Sequence, residues 1–78
     1  MPTILRQEGY RFFFYSNDHL PVHIHIEKNN NTAKFVLDPL ELIQSRGFNA
    51  SELREIRKLV EENVILFKNK WNEYFNHK

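Results

Sequence analysis

The chain alternates in short runs through its first half and changes period in its second. Thr3 to Arg6 and Tyr10 to Tyr15 flank Glu8-Gly9, and together they predict a β-hairpin with a tight turn. Val22 to Glu27 places Val22, Ile24 and Ile26 on one side and His23, His25 and Glu27 on the other, the period of a strand. Ala33 to Leu37 follows an Asn-rich turn and reads as the antiparallel return. Leu40 to Ser45 fits either a fifth short strand or one helical turn, and we take it as a strand.

From Phe48 the repeat lengthens. Asn49 is a good N-cap, Glu52 its capping-box partner, and Phe48 can staple against Leu53. Leu53, Ile56, Val60, Val64, Phe67, Trp71 and Tyr74 then recur every three or four positions, the apolar stripe of an amphipathic helix. The expected fold is α+β: a small, mostly antiparallel sheet of four or five strands within residues 1–46. One long C-terminal helix, at about 50–76, packs on one face, and residues 1–78 form a single domain.

Such a helix would span roughly 40 Å, against about 30 Å for a compact domain of this length. It must therefore kink, with Asn63 the natural place, or project beyond the sheet. Leu59, Ile65 and Leu66 lie off the main stripe. With Trp71 they predict an interface, either in a homodimer or against a small partner protein. The sheet carries a similar surplus. Tyr10, Phe12 and Phe14 share one face of their strand, while Arg11, Phe13 and Tyr15 share the other, and one helix covers only one side. The second face, with Phe13, Tyr15, Val36 and the His23/His25 pair, is expected to be an interface or a binding site, unless the sheet curls and closes on itself.

Composition narrows the chemistry. At 78 residues and 41% hydrophobic, the chain holds one small core. A formal charge of +1 excludes a polybasic mode of nucleic-acid binding, though local patches remain open. No cysteine is present, which removes disulfides, thiolate metal sites and cysteine nucleophiles. No apolar run approaches the roughly 18 residues of a membrane span, and the start lacks a signal-peptide pattern, so a cytoplasmic address and no membrane partner are expected.

Three of the four histidines fall in the run His19-x-Pro21-x-His23-x-His25. Alternate residues of a strand point the same way, so His23 and His25 can converge on one ligand, with His19 reaching in from the loop. Three readings stand side by side. The first is a divalent metal such as zinc, held by His19, His23 and His25, with an oxygen from Asp18, Glu27 or Asp38. The second is acid–base cleavage of RNA by imidazoles that titrate near neutrality. The third is purely structural, with the rings hydrogen-bonded to the loop. Arg54 and Arg57, beside Lys58, could meet phosphate, or form a salt-bridged face with Glu55, Glu61 and Glu62. No Gly-rich phosphate loop, nucleophile elbow or HExxH motif occurs.

The segments MPTILR, GYRFFFYSNDH, PVHIHI, AKFVLDP, SRGF, ELREIRKLVEEN and WNEYF, in this order and spacing, resemble a small bacterial family, domain of unknown function four-one-six-zero. The resemblance runs from Met1 to about Phe75. Where that family usually has a second proline before the histidines this chain has Val22, and where it usually has a tryptophan after AKF it has Val36. Members look like one half of two-gene modules similar to toxin–antitoxin pairs. The resemblance thus implies a toxin-like component with a partner encoded nearby, and ribonuclease action as its commonest chemistry. On that expectation His23 and His25 act on RNA with help from His19, while Arg11 or Lys34 neutralises phosphate. The rival expectation is a non-enzymatic module that only binds a partner.

Overall fold

A computed structural model describes residues 3–75. Strand β1 (Thr3–Gln7) turns at Glu8 and Gly9 into β2 (Tyr10–Phe13). Both turn residues have positive φ, 56° and 84°, which a two-residue type I′ hairpin requires. Strands β3 (His23–Lys28) and β4 (Asn31–Leu37) form a second hairpin around Asn29, and β5 (Leu40–Arg46) follows through Asp38-Pro39. The strands lie in sequence order and each neighbouring pair is antiparallel. The segment after Pro39 is thus a strand, paired with β4 from Leu37↔Leu40 to Thr32↔Arg46.

Two helices follow, α1 (Ala50–Glu62) and α2 (Val64–Phe75). The capping box forms as expected: the Glu52 amide donates to Asn49 Oδ1 at 2.8 Å and the Asn49 amide to Glu52 Oε1 at 3.0 Å. The single long helix does not form. Asn63 donates its amide to the Leu59 and Val60 carbonyls, both at 3.2 Å. Its Nδ2 reaches the Leu59 carbonyl at 2.8 Å and Gln7 Oε1 at 3.4 Å. An asparagine bonded this way competes with the helical ladder and ties the chain to β1, so α1 stops there. The Phe67 amide then donates to the Asn63 carbonyl and α2 departs. The expected helix end at Asn76 lies outside the described residues.

One face of the sheet and both helices enclose the core. Phe12 stacks on Phe67 with centroids 5.4 Å apart, and Phe14 meets Trp71 edge-on at 5.2 Å. Ile24, Ile26, Phe35, Ile56 and Val60 fill the space between. Three residues expected at an interface are inside the single chain instead. Leu59 is 6% exposed and Trp71 4%, because two short rods keep their apolar residues over the sheet where one long rod would project. Phe13, 3% exposed, is on the far face, but its own neighbours cover it. The Arg11 guanidinium sits 4.0 Å above its ring, His25 stacks on it at 5.4 Å and Tyr15 abuts it at 5.2 Å. Leu66 is half-buried against the core, while Ile65 and Tyr15 remain exposed.

Candidate functional site

Strand β2 ends at Phe13, two residues before it would pair with the start of β3. The chain leaves the sheet there, and the connection to β3 folds over the vacated position. A turn holds it: the Asp18 amide donates to the Tyr15 carbonyl at 3.1 Å, and the Tyr15 amide donates to Asp18 Oδ2 at 2.8 Å. This closure points the Asp18 carboxylate inward, at the two histidines of β3.

His23 and His25 share a face, as their spacing predicts, with ring centroids 5.0 Å apart and planes at 81°. Their Nε2 atoms both approach Asp18 Oδ1, His23 at 3.2 Å and His25 at 3.3 Å. His25 Nε2 also lies 3.2 Å from Oδ2 and donates to the carboxylate. His23 differs. Its Nδ1 lies 2.8 Å from the Pro21 carbonyl, which can only accept, so Nδ1 carries a hydrogen. Its Nε2 is buried with no hydrogen-bond partner, for although Asp18 is close, its direction is wrong for a bond. A buried polar atom without a partner costs roughly 1–3 kcal/mol, and such atoms are uncommon.

The three side chains offer one donor atom each, all within 4.8 Å of one another. With metal–ligand bonds of about 2.0–2.1 Å, a tetrahedral edge is roughly 3.3 Å, which the two Asp18 Oδ1 distances match. The electrostatics suit a cation too. Burial raises the Asp18 pKa, but the Tyr15 amide and the two imidazoles outweigh it and hold the carboxyl below its usual value. Burial lowers the His25 pKa more than Asp18 raises it, leaving a ring that is mostly neutral at pH 7, the form a metal binds. The Pro21 carbonyl on Nδ1 is the kind of outer contact that fixes a ligating imidazole.

The cluster borders a cleft of about 510 Å³ on the far face of the sheet, walled by Leu20, Pro21, Val36 and Ile43. Lys34, opposite His25 in the β3–β4 ladder, lines it as well. His19 lies on the cleft rim, exposed, and is not one of the three converging donors. Of the three oxygen donors that the sequence left open, Asp18 is the one brought in. Glu27 pairs with Arg11 at 2.7 Å, and Asp38 is an exposed turn residue facing Lys68. Arg54 and Arg57 are on α1, beside Phe35 and Leu42 of the helix-covered face, apart from the histidines.

Fold and site together define a small α+β domain, a five-stranded meander backed by two helices, with a histidine–carboxylate cluster where β2 leaves the sheet. The family model described as Domain of unknown function (DUF4160) matches residues 9–72, nearly the whole chain, and the protein belongs to that family. No curated protein and no solved structure matches it significantly. No helix among the described residues is long and apolar enough to cross a membrane.

Proposed function

We propose that this protein binds a divalent transition metal, zinc by its donor chemistry, through Asp18, His23 and His25. The observation that carries the reading is the buried, partnerless Nε2 of His23, 3.2 Å from a carboxylate oxygen that lies off its bonding direction. A cation between these atoms turns a repulsive contact into two ligand bonds. Three protein donors leave a coordination position open, the arrangement of zinc sites that take a water or a substrate.

The test is elemental analysis of protein purified without chelator, followed by zinc titration. Wild type is expected to carry close to one zinc per chain, and Asp18→Asn and His23→Ala close to none. A wild-type chain that holds no zinc and takes up none at micromolar concentration refutes the assignment. One observation favours a second reading, acid–base action on RNA as the toxin-like half of a two-gene module. Asp18 accepts from His25 as a carboxylate orients a general base. RNA cleavage that survives chelator and is lost in His25→Ala would select it over the metal.

A further inference from the structure

The cleft beside the cluster holds a cation with nothing to neutralise it. Several other basic side chains are occupied: Arg11 by Glu27 and the Phe13 ring, Lys28 by the Tyr10 ring, Lys68 by Asp38, Lys70 by Glu73. Lys34 is half-buried, and among the described residues no carboxylate lies within ion-pair distance of its ammonium. It stands between Asp18 and His23 in one depression and His25 and Gln44 in the next. It lies directly opposite the ligand His25 in the β3–β4 ladder.

Charge counting then restricts the ligand. A divalent ion on one carboxylate and two neutral imidazoles leaves +1, and Lys34 raises the cleft to +2, with Asp18 the only carboxylate on its wall among the described residues. Apart from Asn17 and His19 the remaining wall is apolar, and Leu20 (76%) and Ile43 (50%) are among the most exposed large hydrophobic residues. We propose that the cleft binds a phosphate monoester, its phosphoryl oxygens shared between the metal at Asp18, His23 and His25 and the ammonium of Lys34, its organic part against Leu20, Val36 and Ile43. The inference rests on the metal reading above. A dianion balances the cleft, whereas a carboxylate would leave it charged. A nucleic-acid backbone needs cations along a track, but Arg11 is committed to Glu27, and Arg54 and Arg57 lie with the helix-covered face. The volume of about 510 Å³ falls in the range of small-molecule sites.

Zinc-loaded protein, freed of excess metal, is titrated with phenyl phosphate and with inorganic phosphate by calorimetry and by phosphorus NMR. Both bind, phenyl phosphate more tightly, and both are lost when the metal is removed. Lys34→Gln keeps its zinc and its thermal midpoint but binds phenyl phosphate about tenfold more weakly, the loss expected for one charge-assisted contact. Loaded wild type that leaves millimolar phenyl phosphate unaffected overturns this inference alone, as does a Lys34→Gln variant that binds it equally well. A chain that takes up no metal overturns both readings.

Discussion

Asp18→Asn exchanges one carboxylate oxygen for an amide nitrogen at almost constant shape, and the geometry fixes which one. Placed at Oδ1, the nitrogen lies 3.2 Å from His23 Nε2 but off that atom's bonding direction, so it gains no good hydrogen bond. Placed at Oδ2, the oxygen still accepts from the Tyr15 amide and from His25. The substitution therefore leaves the orphaned nitrogen as it is and removes only charge. The cost is about 1 kcal/mol, as two charged acceptor contacts become neutral. Metal-free Asp18→Asn is expected to fall below wild type by that amount, which for a domain this small is about 4–8 °C in thermal midpoint. Zinc widens the gap. At a concentration roughly a hundredfold above its Kd it stabilises wild type by about 2.7 kcal/mol and leaves the variant unchanged. Thermal and urea unfolding of both proteins, in chelator and in excess zinc near neutral pH, gives the four numbers required. If Asp18 and His23 are instead a structural ion pair, zinc moves neither protein. That result would refute the reasoning.

Other outcomes follow from the same packing. Burial, then the bond to Glu55 Oε1 at 2.9 Å, pushes the Tyr10 hydroxyl from 10.0 to about 12. The folded state then keeps a proton that the unfolded chain releases, so this contribution is complete below pH 10 and lost as pH rises towards 12. Urea midpoints should fall across that window in wild type, and less in Tyr10→Phe. Leu59→Ala should cost about 2–4 kcal/mol by equilibrium unfolding, and Ile65→Ser no more than about 0.5 kcal/mol. Equal costs would contradict the placement of Leu59 in the core and Ile65 in solvent. Asn63→Ala removes the side-chain bonds to Leu59 and Gln7 and should cost about 1 kcal/mol. A neutral substitution would show that those bonds do not hold the break between the helices.

Local rules made much of this fold readable. Glu8-Gly9, the alternation through His25, and the Asn49–Glu52 pair each carry their geometry within a few residues, and each forms as expected. Asn63 needs another argument, since it is the length of the helix against the size of the domain, and not its pattern, that points to a kink there. Val60, Val64 and Phe67 keep helical spacing straight through it, so periodicity is blind to a break made by one side chain and by Gln7, which is distant in sequence. Phe13 failed for another reason. The pattern shows a two-sided strand, but not that Arg11, Tyr15 and His25 would cover the second side themselves. At the site, spacing singled out the histidine pair and ranked His19 as the third ligand, with Asp18 one of several oxygens. The turn from Tyr15 to Asp18 reverses that ranking, sending Asp18 in and leaving its neighbour in solvent. Adjacent loop residues have no period from which to infer this.

The indole of Trp71 rests against the His23 ring, 5.1 Å between centroids, and it is the only indole in the chain. The molecule thus carries an optical reporter wired to its own candidate centre. Ultraviolet emission from this one ring registers any charge arriving at His23, without label or engineered probe. Because Trp71 also anchors α2, the same signal tells whether the last helix stays seated while the centre fills.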